Sequence, residues 1–186
     1  MPISALDSRS ALVVIDLQKG IAALPTVHHM TGIIEQARLL AHGFRQRELP
    51  VVLVNVIGMA PGRTEQRIRT NTLPADWTEL LPELNAQARD LLISKRTWGA
   101  FMHTDLASRL RAMQVTQVVI AGVSTSIGVE STARQAFEEG FNVTLVTDAM
   151  TDINSAAHEH SIQAIFPRLG ETGTTQEVLQ FLERAP

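Results

Sequence analysis

Asp16 and Lys95 are residues whose types suit proton chemistry and whose places in the sequence are alike: each follows an apolar run, at 11–15 and 91–93 respectively. A carboxyl group in a pocket can hand a proton to a reacting atom and later take one back. A neighbouring ammonium favours the ionised carboxylate, and burial favours the neutral acid. Other polar residues stand at equivalent places. Asn55 lies near the end of the run at 51–57, Ser124, Thr125 and Ser126 follow 118–123, and Asp148 follows 143–146. A small-residue turn that opens a helix presents unpaired backbone N–H groups and the positive end of a dipole. That is a seat for a carboxylate or a developing oxyanion. Each of these residues also has an ordinary use: aspartates and serines cap helices and close turns, and surface lysines are solvated. They become a candidate site because their positions converge if the apolar runs are parallel strands, whose carboxyl ends share one edge.

The elements needed to position them are legible. The runs are nearly continuous in apolar character, as strands covered on both faces of a parallel sheet require, and all but 91–93 are rich in β-branched residues. Segments of helical period lie between them. Ile33, Ile34, Ala37, Leu40, Ala41 and Phe44 form one stripe. Leu106, Leu110 and Met113 form a second, and Val129, Thr132, Ala133, Ala136 and Phe137 a third. Strands alternating with helices predict a three-layer α/β/α sandwich. The chain is expected to be one domain over residues 1–186. The segment 56–76 breaks the rhythm with Gly58, Pro61, Gly62, Pro74 and three arginines, and so long a connection is expected to serve function.

Composition removes several classes. With 16 basic and 19 acidic residues the net charge is −3, which lacks the basic footprint of a nucleic-acid binder. There are 0 cysteines, so disulfides, thiolate metal sites and a cysteine nucleophile are excluded. No apolar stretch approaches the ~20 residues of a spanning helix. The first residues lack a basic stretch followed by an apolar one. A cytoplasmic protein without membrane or nucleic-acid partners is expected. His158 and His160, two apart on a helix expected to start near Ser155, face different ways and make a poor metal pair; His158 is read as structural.

Four motifs in order resemble the isochorismatase-like hydrolase superfamily. They are Val13-Val14-Ile15-Asp16-Leu17-Gln18; Lys95 followed by Trp98, Gly99, Ala100, Phe101 and Thr104-Asp105-Leu106; the turn from Gly122 through Ser124, Thr125, Ser126 and Gly128 to Ala133; and Asp148-Ala149 with His158-Glu159 downstream. The resemblance implies a parallel sheet of about six strands with helices on both faces, a homo-oligomer, and a cis peptide bond between Val123 and Ser124. It also implies an Asp–Lys–Cys active site, of which Asp16 and Lys95 supply the first two members while Gly128 stands at the third. The chain is therefore expected to act on a small-molecule substrate without a covalent thioester. Asp16 would be general acid and base, and Lys95 its charged partner. Gly128, Ser124, Thr125, Trp98 and Arg67 are the expected substrate contacts. The metal ligands of nicotinamidases have no counterpart in Asn55-Val56-Ile57-Gly58-Met59, and neither metal nor cofactor is expected. A hydroxyl nucleophile at 124–126 has no base evidently placed to activate it. The alternative is a relative that has lost catalysis and only binds a metabolite or assembles.

Overall fold

A computed structural model describes residues 2–65 and 73–184. Six strands form one sheet: β1 (Ser10–Ile15), β2 (Val51–Val56), β3 (Leu91–Lys95), β4 (Gln117–Val123), β5 (Asn142–Thr151) and β6 (Glu171–Gly173). Their order is β3-β2-β1-β4-β5-β6, and every neighbouring pair is parallel. The helices are α1 (Lys19–Ala22), α2 (Met30–Gln46), α3 (Leu106–Ala112), α4 (Glu130–Glu138), α5 (Ser155–His160) and α6 (Thr175–Arg184). This is the expected α/β/α sandwich. From β1 the chain works outward to β3 on one side, then returns beside β1 with β4 and works outward to β6. The order reverses between β1 and β4, and ligands of open parallel sheets bind at such a reversal, beyond the carboxyl ends of the strands.

Alternation along the central strand divides the core in two. Ala11, Val13 and Ile15 of β1 pack with Leu106, Leu110, Ala133 and Ala136 of α3 and α4. Leu12 and Val14 point the other way, onto Leu40 and Phe44 of α2 and Val178 and Leu182 of α6. Both layers are needed, because β1 is buried along its whole length. Among the described residues no helix is long and apolar enough to cross a membrane.

The structure departs from the sequence reading in a few places. β3 is an edge strand and alternates, with Leu92 exposed, so the apolar run at 91–93 does not mark a strand covered on both faces. Met113 and Phe137 end their helical stripes in solvent, Met113 just past the close of α3 at Ala112. α4 begins three residues later than Ile127, after a π-helical turn over Thr125–Val129. β5 runs on to Thr151, so Asp148 is inside the strand and not after it. There its Oδ1 accepts hydrogen bonds from N and Oγ1 of Thr175, at 2.7 and 2.9 Å, and holds the start of α6.

Gly122 fixes the seam between β1 and β4. Its φ is +119°, and a Cβ there would stand 2.1 Å from the carbonyl oxygen of Ile15. The pairing of β4 with β5 also shifts register between Ile120 and Gly122. Gly122→Ala is expected to cost about 3 kcal/mol or more, since strained backbone and a backbone clash add. Gly32→Ala is the control: nothing lies within 4 Å of that position in the exposed face of α2, and a gain of ~0.5–1 kcal/mol is expected there. Chemical denaturation of both variants checks the contrast.

Candidate active site

The two residues at the head of the sequence reading meet at the reversal. Asp16 is the first residue after β1, and Lys95 is the last of β3, two strands away. Two strand spacings are about 10 Å, and the lysine side chain crosses them over the end of β2. Its Nζ lies 2.7 Å from Oδ2 of Asp16. The same ammonium donates to the carbonyl oxygens of Thr97 at 3.2 Å and Trp98 at 2.9 Å. An ammonium has three donors, and all three are occupied. Both side chains are buried. Asp16 adopts a left-handed backbone, φ +52°, which Asp and Asn tolerate better than other side chains. That conformation turns the carboxyl off the strand end.

Burial pushes the Asp16 carboxyl up to about 6, against the charge and the hydrogen bond of Lys95, which both pull it down. Oδ1 of Asp16 is buried and has no hydrogen-bond partner. A carboxyl with one oxygen on an ammonium and the other unpaired carries its proton on the unpaired oxygen. The geometry and the electrostatics therefore agree on a group that can be acid or base near neutral pH.

A cavity of about 570 Å³ opens over this pair, within the size range of small-molecule sites. Its walls come from α1 and the residues after it, from the segments after β2 and β3, and from the turn after β4. Gln18 braces one wall. Its side chain accepts from the N–H of Val56 at 2.7 Å and donates to the carbonyls of Val56 and Trp77, at 3.1 and 2.9 Å. The opposite wall is tied to α4, where the hydroxyl of Thr132 accepts from the N–H of Ala100 and donates to the carbonyl of Gly128. That linkage holds the segment carrying Trp98, whose ring is 62% exposed at the cavity's edge. Phe101, three residues on, is buried in the core.

The turn after β4 forms the floor beside Asp16. The peptide bond between Val123 and Ser124 is cis, as the resemblance implies. Ser124 and Gly128 line the cavity. A Cβ at Gly128 would stand 2.9 Å from Cγ2 of Ile15 and 3.2 Å from Oδ2 of Asp16. The position at which the resemblance implies a nucleophile thus lies directly beside the Asp16 carboxylate, and a side chain there would need Ile15 to shift.

The other expected contacts divide. Thr125 is buried and does not line the cavity: its hydroxyl lies 2.8 Å from Nδ1 of His158. His158 in turn packs its ring 4.9 Å from that of His28. Burial, and then the proximity of His28, hold the His158 imidazole below its ordinary range. This placement fits the structural reading of that histidine. Asn55 spends its side chain on the carbonyl of Thr78 and the hydroxyl of Ser94. Arg67 lies outside the described residues. Among the described residues, no three His, Asp or Glu side chains come together as a metal site would need.

Sequence reasoning missed three residues. Asp152, fully buried just past β5, accepts from both N and Oγ of Ser126, at 2.7 and 2.8 Å, and so fixes the turn. Its signal was hidden by the assumption that β5 ended at Val146. Trp77 and Arg96 both line the cavity, and nothing in their sequence surroundings sets them apart from other loop residues.

Residues 10–177 match the family model described as the isochorismatase domain. The chain belongs to the isochorismatase family. Its similarity to the isochorismatase family protein YwoC of Bacillus subtilis is 38% identity over 180 residues, covering 92% of this chain and 93% of that one. It is 29% identical to the maleamate amidohydrolase of Pseudomonas putida, covering 94% and 87%. Among solved structures, an isochorismatase family protein of Burkholderia thailandensis superposes with a TM-score of 0.91 at 36% identity, covering 96% of this chain and 98% of that one. The isochorismatase fold therefore holds over nearly the whole chain, and the protein is an isochorismatase-family hydrolase.

Proposed function

We propose that this hydrolase cleaves a small carboxylate- or amide-bearing metabolite without forming a covalent enzyme intermediate. Asp16 enters as the acid. The proton of its carboxyl passes to the atom of the substrate that must accept one, which for a vinyl ether is the terminal alkene carbon. Water then attacks the resulting oxocarbenium carbon, and its proton returns to the Asp16 carboxylate. The hemiketal so formed gives its hydroxyl proton to the ether oxygen as the carbon–oxygen bond breaks, leaving an alcohol and a carbonyl compound with Asp16 again protonated. Lys95 holds Oδ2 and stabilises the carboxylate that forms midway. Backbone N–H groups at Ser124 and Gly128 are assigned to a substrate oxygen, as small donors at the opening of a helix suit.

One observation carries this reading. The Asp–Lys pair is kept buried and in contact at 2.7 Å beneath a cavity, although glycine stands at the nucleophile position. A buried ion pair is weak evidence for stability, because desolvation offsets the attraction. Function is the better reason for it in a cavity floor. The test is a turnover screen of vinyl ethers and small amides, run beside Asp16→Asn. Turnover by the parent that the variant lacks supports the proposal. Turnover undiminished in the variant overturns it, as does binding without turnover across the panel, which favours the relative that only binds.

A further inference from the structure

We propose that Arg96 is the anion anchor of this cavity and that its ligand is a monocarboxylate with an apolar body. The cavity is lined by three charged residues among those described: Asp16, Lys95 and Arg96. The first two are bound to each other, and Lys95 has no donor left for a ligand, since Asp16, Thr97 and Trp98 take all of them. The Arg96 side chain has no hydrogen bond or ion pair with any described residue; those of Arg9, Arg63 and Arg168 share that state, but of the described arginines Arg96 alone lines the cavity, while Arg38, Arg45, Arg109, Arg111 and Arg134 each hold a carboxylate. Among the described residues, the cavity's one cation free to meet a ligand is thus a guanidinium, whose planar fork matches a carboxylate.

The fold seats this side chain. A Cβ at Gly58 would stand 2.9 Å from Nη1 of Arg96, 3.4 Å from its Cγ and 3.7 Å from its Cζ. The arginine therefore runs, solvent-exposed, past the face of residue 58 that carries no side chain, at the cavity wall. The remaining lining is dominated by Ile21, Leu24, Met59, Trp77, Trp98 and Ile153, which offer no hydrogen bonds except from the two indole N–H groups. An apolar body between Arg96 and the Asp16–Lys95 floor fits that lining, and a second anionic group has no further cation to meet among the described residues. Assigning the reacting bond to the Asp16 end rests on the proposed function; the anchor itself does not.

The test compares benzoate with benzamide, which share shape and differ in charge, by calorimetric titration. The parent is expected to bind benzoate about tenfold more tightly, the effect of one charge-assisted pair. Arg96→Gln is expected to erase that preference and Arg96→Lys to restore part of it. Gly58→Ala, which pushes the guanidinium from its seat, narrows it. Asp16→Asn keeps the preference, because the Asp16 carboxyl is bound to Lys95 and not to Arg96. A parent that shows no preference for benzoate, or a preference that survives in Arg96→Gln, overturns the anchor. Either result leaves the Asp16 chemistry to stand or fall on turnover alone, so the two failures are distinguishable.

Discussion

Turnover in an Asp16→Asn variant is expected to fall by about three orders of magnitude, the range a positioned acid–base group supplies. Asparagine is the informative replacement. Residue 16 sits at φ +52°, where Asn is accommodated and Ala is strained by ~1–2 kcal/mol. Lys95 also keeps its bonds to the carbonyls of Thr97 and Trp98. A folded, inactive protein is therefore expected, with kcat/KM as the readout. The parent should show its own signature. Asp16 enters as the acid with its carboxyl raised to about 6, so kcat/KM is level below that pH and declines above it. A decline on the acid side near 6 would instead make the carboxylate the entering base. Stability gives a second reading of the same group. Between the ordinary 3.8 and about 6 the native state holds a proton that the unfolded chain has released. Stability from this group is thus fully present below the lower value and is lost as pH rises through the upper one, by about 3 kcal/mol. Asp16→Asn should lack that slope when unfolding free energies are measured across the window.

How far the sequence revealed the site follows from what each residue needs in order to be seen. β1, β2 and β4 announce themselves because a strand covered on both faces is apolar throughout. Asp16 and Lys95 are visible as the polar residues that stop such runs. β6 is three residues, Glu171–Gly173, held to β5 by its backbone ladder and the Thr147 hydroxyl, and no side-chain pattern marks it. The buried pair of Arg45 with Asp90, 2.6 Å apart, joins α2 to the approach of β3 across 45 positions and reads in sequence as two surface charges. Thr125 looked like a donor to a ligand because it is polar and beside the strand end, but His158 approaches from α5, and that meeting is a product of packing. Arg96 is the sharpest case. What distinguishes it from other loop arginines is its place in the cavity lining and the bare backbone of Gly58 beside it, and both are properties of the assembled fold.

Lys95→Met separates the lysine's electrical role from its structural one. The ammonium lowers the Asp16 carboxyl by its charge and by its hydrogen bond, so removing it leaves burial unopposed. The carboxyl then rises above 6, and the basic limb of the kcat/KM profile is expected to move to higher pH. The same change should make the stability loss depend on pH. At pH 5 Asp16 takes a proton and avoids an uncompensated charge. The cost there is that of the carbonyls of Thr97 and Trp98 losing their donor, about 1–3 kcal/mol. At pH 8 part of the cost of a buried unpaired carboxylate is added, and the loss approaches ~3–5 kcal/mol. Methionine suits the test because it keeps the length of the stem that crosses the end of β2. Activity at pH 5 should remain measurable, since the acid is still present, while the carboxylate formed midway has lost its partner and the rate drops by about tenfold or more. A limb that stays at the parent's pH, with a stability loss equal at both pH values, would show that Lys95 only supports the segment around Trp98. The Asp–Lys pair would then not be the unit that sets the proton chemistry.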